Sequence, residues 1–153
     1  MTAETPSVHA SAVLAGNFAV LIRGAEGAGK SRLALALIAA AQTGLLRFAR
    51  LVGDDRVHLE ACNGRLLVRP ARDLAGLIEV RGIGIRRLDY EPVAIVGLVV
   101  DLAAEDAERL PSSNDTVLAG VRVPRLALAA GVDPLPSLIA FLTTSPSDIK
   151  PQS

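Results

Sequence analysis

A glycine-rich loop between an apolar segment and an alanine-rich segment is the strongest constraint on how this chain folds. Residues 19–23 read AVLIR, residues 24–31 read GAEGAGKS, and RLALALIAAA follows. The loop fits the pattern G-x-x-x-x-G-K-S/T without a mismatch, which is typical of a phosphate-binding loop between a buried strand and a helix. A flexible turn with a solvated lysine is the alternative interpretation. The flanking strand and helix patterns favour phosphate binding.

The residue types in this loop predict specific contacts with a nucleotide. Glycines let successive backbone N–H groups face an anion, and the helix N-terminus adds its positive dipole end. Lys30 is expected to reach the β- and γ-phosphates, and the Ser31 hydroxyl to ligate Mg²⁺. Glu26 is expected to point into solvent, because a carboxylate beside phosphates is unfavourable. The predicted nucleotide-binding residues are Gly24, Gly27, Ala28, Gly29, Lys30, Ser31 and Arg32.

The remaining pattern predicts an α/β fold, with this strand–loop–helix unit in a mixed sheet of a single compact domain. Two strands are predicted in HASAVLAGNFAVLIRG. A hairpin that turns at Asn63-Gly64 is predicted in VHLEACNGRLLVRP, and a strand that runs into a glycine-broken loop is predicted in GLIEVRGIGIRRLDY. Further strands are expected in RLVGDD, PVAIVGLVVDLA and TVLAGVRVPRLAL, a surface loop in AEDAERLPSSND, and a helix that begins at Asp133. We expect the domain to span residues 1–145 and residues 146–153 to form a disordered tail.

Charge and cysteine content exclude several classes of protein. The chain has 16 basic and 16 acidic residues among 153, so no bulk field favours nucleic acid or an anionic membrane. One cysteine cannot form an internal disulfide. The N-terminal residues show no secretory pattern, and the apolar runs are too short to span a bilayer. A cytoplasmic protein without nucleic-acid or membrane partners is therefore expected.

Two adjacent aspartates end the apolar run LVG and are the first candidates for chemistry. Asp54 and Asp55 stand where a carboxylate beside a phosphate-binding loop would hold Mg²⁺ or its bound water. Because neighbouring side chains on a strand diverge, one carboxylate could serve the metal while the other accepts a proton from an attacking hydroxyl. A turn with two solvated acids is the alternative, which the preceding loop makes less favourable.

Three further residues are candidates by position. In IEVRGIGI, Glu79 and Arg81 alternate with apolar residues, so they are expected on one strand face, as metal ligand and phosphate contact. A surface salt bridge is the alternative for this pair. His9 is expected on a strand that pairs with the strand leading into the loop, which would bring its ring close to the phosphates. Its alternative is a solvated or core histidine.

Four features follow one another along the chain: His9, AVLIRGAEGAGKS, LVGDDRV and LIEVRGIGI. Together they resemble the catalytic domain of the HPr kinase/phosphorylase family, in its short alphaproteobacterial form. The resemblance covers residues 8 to about 100 and implies an ATP- and Mg-dependent kinase that phosphorylates a serine of the phosphocarrier HPr. It also implies phosphorolytic removal of that phosphate and assembly as a homo-oligomer, commonly a hexamer. It assigns Asp55 as the general base, supported by Asp54, and Glu79 and Ser31 as metal ligands, with His9 in the catalytic site.

Three departures from the family pattern leave alternatives open. Glu26 stands where serine is usual, and Gly53 where alanine is usual. RLALAAGVDPL replaces a PGRN-type loop that carries a catalytic arginine, so phosphorolysis is left open and Arg122 or Arg125 is left as a possible substitute. Pyrophosphate as a donor is also open. The rival function is a nucleotide-binding sensor of phosphotransferase signalling with little turnover. A small-molecule kinase lacks support, because no arginine-rich lid is recognisable.

Overall fold

A computed structural model describes residues 6–107 and 114–147 of the chain. In that part the strands are β1 (Ser7–His9), β2 (Ser11–Ala15), β3 (Phe18–Arg23), β4 (Ala49–Gly53), β5 (Arg56–Cys62), β6 (Arg65–Pro70), β7 (Leu77–Val80), β8 (Gly84–Arg87), β9 (Ala94–Asp101), β10 (Asp115–Leu118) and β11 (Val121–Ala127). The helices are α1 (Lys30–Gln42) and α2 (Pro134–Thr143), with a short 3₁₀ turn at Arg72–Leu74. No helix in this part is long and apolar enough to cross a membrane.

Nine strands form one mixed sheet, which confirms the predicted α/β class. Their order is β1-β5-β6-β9-β3-β2-β4, and β11 adds to β9 and carries β10. β3 runs parallel to β9, and β9 runs parallel to β11, while most other pairs are antiparallel. A single residue, Ala10, separates β1 from β2, although they stand far apart in the strand order. The sheet therefore curls so that its ends approach each other.

The strand directions bring four chain segments to one edge of the sheet. β2 is antiparallel to both β3 and β4, so β3 and β4 run in the same direction. The ends of β3, β4 and β9 and the start of β2 consequently lie along one edge. Ligands of α/β sheets bind outside the carboxyl ends of such strands. The glycine-rich loop leaves the sheet at this edge.

Burial on both faces of β3 explains its continuous apolar sequence. Val20 and Ile22 pack in the cluster that contains Leu33 and Leu37 of α1. Leu21, between them, is fully buried in a second cluster on the opposite face of the sheet. A strand covered on both sides reads as an unbroken apolar run rather than an alternating one.

The predicted hairpin that turns at Asn63-Gly64 is confirmed, whereas the loop predicted in GLIEVRGIGIRRLDY is not observed. Asn63 and Gly64 have φ of 53° and 78°, the sign that a two-residue type I′ turn requires. The segment after β7 is not an open loop but a second hairpin, in which β8 pairs with β7 as a separate two-stranded sheet. Gly82 and Gly84, both with φ of 91°, close its turn. The sequence of β8, GIRR, lacks the alternation that would have marked a strand.

The predicted pairing of the strand that carries His9 was wrong. β1 pairs with β5, where His9 lies opposite Arg56, and it is β2 that pairs with β3. The physical reason is that β3 already has β2 on one side and β9 on the other, which leaves no free edge for β1. His9 nonetheless lies one position from Asp55, because its partner Arg56 follows that residue.

The C-terminal helix begins as predicted. Asp133 is its N-cap and accepts a hydrogen bond from the backbone N–H of Leu135 at 3.2 Å, with Pro134 as the first helical residue. Part of the predicted surface loop, residues 108–113, and most of the predicted tail, residues 148–153, lie outside the described residues. The domain bounds remain a prediction.

Gly97 of β9 lies against the ring of Phe18, and an alanine there should destabilise the fold. A Cβ at position 97 would stand 2.3 Å from Cγ of Phe18, far inside van der Waals contact. We expect Gly97→Ala to lower the free energy of unfolding by about 1–3 kcal/mol, measured by urea denaturation. In a Phe18→Ala background the same change should cost much less, and an equal cost in both backgrounds would contradict this explanation.

Candidate functional site

The glycine-rich loop has the backbone geometry of an open, uncapped helix start. Gly27 and Gly29 have φ of 83° and 102°, which disfavours any side chain at either position. Gly29 is the N-cap of α1, and no side chain caps the helix there. At Gly24 a Cβ would lie 3.0 Å from the Cβ of Ala28 and 3.3 Å from that of Leu102. Glycine is thus favoured where the loop leaves β3, and no side chain caps the start of α1.

The lysine of the loop lies back over the loop itself. Lys30 donates through Nζ to the carbonyl oxygens of Gly24 at 2.8 Å and Ala25 at 3.2 Å. Glu26 and Arg32 are both exposed, Glu26 as expected for a carboxylate next to a phosphate site. The ammonium group therefore stands above the same backbone whose glycines and helix start favour an anion.

Asp54 is the buried centre of the site. Its carboxylate, on a residue only 3% exposed, accepts hydrogen bonds from the Ser31 hydroxyl at 2.7 and 2.9 Å. The hydroxyl of Ser11, the first residue of β2, donates to it at 2.6 Å. The carboxylate thus joins the end of β4, the start of α1 and the start of β2. A hydroxyl in contact with a carboxylate is a donor set that fits Mg²⁺, which prefers oxygen ligands.

Asp55 occupies a strained turn beside this buried group. The carbonyl of Asp54 accepts a hydrogen bond from the N–H of Arg56 at 2.8 Å, which closes a three-residue turn around Asp55 with φ of 67°. Asp55 is exposed while Asp54 is buried, so the two side chains diverge. Strained backbone at a carboxylate next to a binding loop is typical of a functional position.

The structure brings Glu79 to the same place and puts Arg81 farther along the hairpin. The backbone N–H of Glu79 points at Oδ2 of Asp54 at a long 3.4 Å, and its side chain is exposed. Arg81 lies in the turn beyond the end of β7, so the expectation that it shares a strand face with Glu79 is corrected. No ion pair joins Glu79 to Arg81 in the described ranges, so the alternative of a surface salt bridge is not observed.

The carboxylates are too few to hold a metal ion by themselves. Among residues 6–107 and 114–147, no three histidine, cysteine, aspartate or glutamate side chains are grouped closely enough for that. Mg²⁺ usually binds proteins through one or two carboxylates and completes its shell with water and substrate phosphates. The site therefore fits a cation that arrives with a phosphate-bearing ligand.

On the other side of the loop, Asp101 forms a charged cluster that sequence reasoning missed. Arg23, the last residue of β3, binds the two oxygens of Asp101 at 2.7 and 2.8 Å. Nε of Arg125 binds the same carboxylate at 2.5 Å. The backbone N–H of Leu102 also donates to the carbonyl of Arg23 at 2.9 Å. This cluster fixes the end of β3 immediately before Gly24. The available signal was a charged residue at the end of each of two apolar strands.

Arg125 is committed to this cluster. Its terminal nitrogens bind Asp106 at 2.8 and 2.9 Å and Asn114 at 3.1 Å, and its side chain is only 14% exposed. Arg122, the other residue left open as a catalytic arginine, is exposed and lies 3.6 Å from Asp115. Arg125 therefore acts as a structural clamp between three stretches of chain.

Ser11 and Gly53 have structural roles beside the site that the sequence did not reveal. Ser11 is fully buried and hydrogen-bonded to Asp54, but a serine within the apolar run HASAVLA carries no signal for that role. Gly53 is required locally, because a Cβ there would lie 2.7 Å from Cγ1 of Val57 and 3.1 Å from Cα of Pro70. The alanine usual in the resembled family does not fit this packing.

Comparison with known sequences relates the chain to a family of kinases. Residues 1–91 match the model of the HPr Serine kinase C-terminal domain. The HPr kinase/phosphorylase of Streptococcus thermophilus is 36% identical over 139 residues, which cover 81% of this chain and 42% of that protein. That of Clostridium beijerinckii is 38% identical over 78 residues, covering 51% of this chain and 24% of that protein. The chain spans less than half the length of these relatives.

A solved structure has a similar fold. The HPr(Ser) kinase/phosphatase from Coxiella burnetii superposes with a TM-score of 0.73 and 28% sequence identity. The match covers 90% of this chain and 93% of the other. The similarity thus extends over most of both chains.

Removal of the Asp101 charge should destabilise the fold in a pH-dependent way. Burial acts to raise the pKa of Asp101, but hydrogen bonds and charge from Arg23 and Arg125 outweigh it and hold the pKa below the ordinary 3.8. Stability from this carboxylate is therefore fully present above about pH 4 and is lost as pH falls through the depressed pKa.

We expect Asp101→Asn to lower the free energy of unfolding by roughly 2 kcal/mol near pH 7, by urea denaturation. The difference from the unmodified protein should shrink below about pH 4. Asp115→Asn, which removes an exposed carboxylate, serves as the control with little effect at either pH. A penalty for Asp101→Asn that does not change with pH would contradict the role of the charge.

Proposed function

The chain belongs to the family of the HPr serine kinase C-terminal domain, and on that premise we propose that it transfers phosphate from Mg·ATP to a serine of HPr. The observation that carries the proposal is the contact of Ser31, at the end of the phosphate-binding loop where α1 begins, with the buried Asp54. That contact brings side chains that can bind Mg²⁺ next to the loop that can bind phosphate, at one edge of the sheet. The similar kinases from Streptococcus thermophilus and Coxiella burnetii act on HPr, as their names state, and we take HPr as the acceptor here.

In this proposal the loop residues and Lys30 bind the phosphates of ATP. Ser31, Asp54 and Glu79 hold Mg²⁺, which when bound neutralises charge on the phosphate oxygens. The glycine geometry at positions 27 and 29, the uncapped helix start and the ammonium above the loop support nucleotide binding. Arg32 and Ala28 contribute to the same loop surface.

Asp55 is the proposed general base. Its exposed carboxylate stands beside the metal-binding pair and can accept the proton of an incoming serine hydroxyl while the oxygen attacks the γ-phosphorus. His9 lies opposite Arg56, the residue after Asp55, and Arg81 lies in the turn two residues after Glu79. We assign them to orientation of the serine and stabilisation of the transferring phosphoryl group.

Two properties follow from family membership as further proposals. We propose that the protein acts in the cytoplasm, where HPr kinases meet their phosphocarrier, and that it forms a homo-oligomer, a hexamer by resemblance to its family. Neither nucleic acid nor a membrane is needed by this chemistry.

A nucleotide-binding sensor of phosphotransferase signalling is the second candidate. The observation that favours it is the commitment of Arg125 to Asp101 and Asp106, which leaves this arginine no role at the transferring phosphate. Phosphorolysis, the reaction that the PGRN-type loop serves in long family members, is the activity most affected. Binding of ATP without transfer to HPr would support the sensor.

The decisive experiment incubates the protein with labelled ATP, Mg²⁺ and purified HPr and follows label on HPr. We expect Asp55→Asn to lower the transfer rate by about 10²–10⁴-fold, because the serine loses its proton acceptor. Asparagine tolerates positive φ, so the strained turn is kept. Asp73→Asn, an exposed acid in the 3₁₀ turn, is the matched control. Equal rates for Asp55→Asn and the unmodified protein would reject Asp55 as the base.

Glu79→Gln tests the metal site. The change keeps the size of the side chain and removes one anionic ligand, so half-maximal transfer should require about tenfold more Mg²⁺. Initial rates against free Mg²⁺ measure this, with Glu60→Gln as an exposed control on another hairpin. The melting temperature of the variant in Mg-free buffer should equal that of the unmodified protein. The absence of a melting transition would show that Glu79 has a structural role instead.

A further inference from the structure

The β7–β8 hairpin, residues 77–87, exposes apolar side chains that the fold does not use. Ile83 and Ile85 are 66% and 65% exposed. The two strands pair with each other and with no other strand of the described structure. A single exposed isoleucine is ordinary, but two within three positions of one hairpin indicate an interaction surface.

The same hairpin carries unpaired positive charge. Arg81, Arg86 and Arg87 are exposed, and none of them takes part in an ion pair within residues 6–107 and 114–147. Glu79 is the one acid among the hairpin residues. Arginine together with large apolar side chains is the composition enriched at protein interfaces.

This surface is continuous with the candidate site. Ile85 lies directly opposite Glu79 in the register of the hairpin, so the two side chains share a face as close neighbours. Arg87, opposite Leu77, lies two positions along the same face. At the base of the hairpin Ile78 is buried in the core, and Glu79 contacts Asp54 through its backbone. Whatever covers Ile85 therefore also approaches Glu79.

We propose that the hairpin face formed by Ile85 and Arg87, with Ile83 at the tip, docks the protein substrate. The occupant is a protein surface that presents carboxylates and an apolar patch beside the accepting serine. This inference rests on the proposed function. The serine must reach Asp55, and a folded protein that does so extends over Glu79 and onto the adjoining hairpin.

Charge favours this occupant over a second copy paired symmetrically through the same face. Such pairing would place the arginines of one hairpin against those of its partner, and like charges at an interface are unfavourable. An acidic substrate surface compensates the arginines instead and speeds encounter.

The open shape of the site also favours a protein over a small metabolite. A cavity of about 580 Å³ lies toward the start of β4 and adjoins the base of the hairpin at Arg87, and its lining includes neither Lys30 nor the site carboxylates. The carboxylates are reached from an open surface, which a folded partner can cover and a small molecule cannot fill.

The test uses the double variant Ile83→Ser/Ile85→Ser of the full chain. We expect the KM for HPr to rise about tenfold or more, because buried anchor side chains dominate interface energies. The KM for ATP and the affinity for a fluorescent ADP analogue should stay within about twofold. Val117→Ser, which removes an isoleucine-like side chain 56% exposed on β10, is the matched control.

Charge on the docking face is tested separately with Arg87→Ala. Calorimetric titration of HPr should show weaker binding and a reduced dependence on salt, because screened attraction has been removed. Arg65→Ala, an exposed arginine on β6, is the control and should leave both unchanged.

The outcomes separate the docking surface from the catalytic proposal. Unchanged HPr binding and KM in both hairpin variants, with transfer intact, would overturn the docking surface and leave the kinase standing. Binding of HPr that the variants weaken, with no transfer by the unmodified protein, would support the surface and reject the kinase. A lighter particle on sedimentation of the isoleucine variant, with HPr affinity per chain unchanged, would assign the face to a second copy and overturn the proposal.

Discussion

The buried carboxylate of Asp54 is the interaction on which the site depends. It accepts hydroxyl hydrogen bonds from Ser11 and Ser31, which belong to β2 and α1. A carboxylate removed from water is stable only when its oxygens are hydrogen-bonded, so the two hydroxyls and the carboxylate hold one another in place. The binding loop thereby acquires a fixed position relative to the end of β4.

The loop is also held from its other side. Asp101, with Arg23 and Arg125, secures the end of β3 where Gly24 begins, and glycine is needed there because Ala28 and Leu102 stand close by. One side of the loop is thus anchored by hydroxyls on a carboxylate and the other by guanidinium groups on a carboxylate. A loop fixed at both ends needs little rearrangement to receive phosphates, which is what preorganisation means for a transfer site.

Local patterns predicted most of the fold, and long-range pairings were the part that failed. The glycine loop, α1, the Asn63-Gly64 turn and the cap at Asp133 depend on neighbouring residues, so their signals are complete in a few positions. The partner of β1 depends on which edges other strands already occupy, and no local pattern contains that information. β8 was missed for the related reason that a strand exposed on both faces has no alternation to recognise.

The candidate site divides in the same way. Lys30, Ser31 and the aspartate pair were recognisable because their residue types follow fixed spacings from a glycine loop or a strand end. Ser11 and Asp101 were not, because each acquires its role by contact with a residue more than 40 positions away. Gly53 shows a further limit of prediction from sequence, because it is Pro70, on another strand, that leaves no space for a Cβ at position 53.

The parallel pairing of β3 with β9 has a consequence for synthesis of the chain. Arg23 lies opposite Asp101, so the strand that ends in the binding loop has no neighbour on that side until the ribosome has extended the polypeptide beyond position 101. Until then the apolar residues 19–22 can pair with β2 on one side but have no partner strand on the other. Nascent chains of this protein should therefore be most prone to aggregation, and most dependent on chaperones, during that interval.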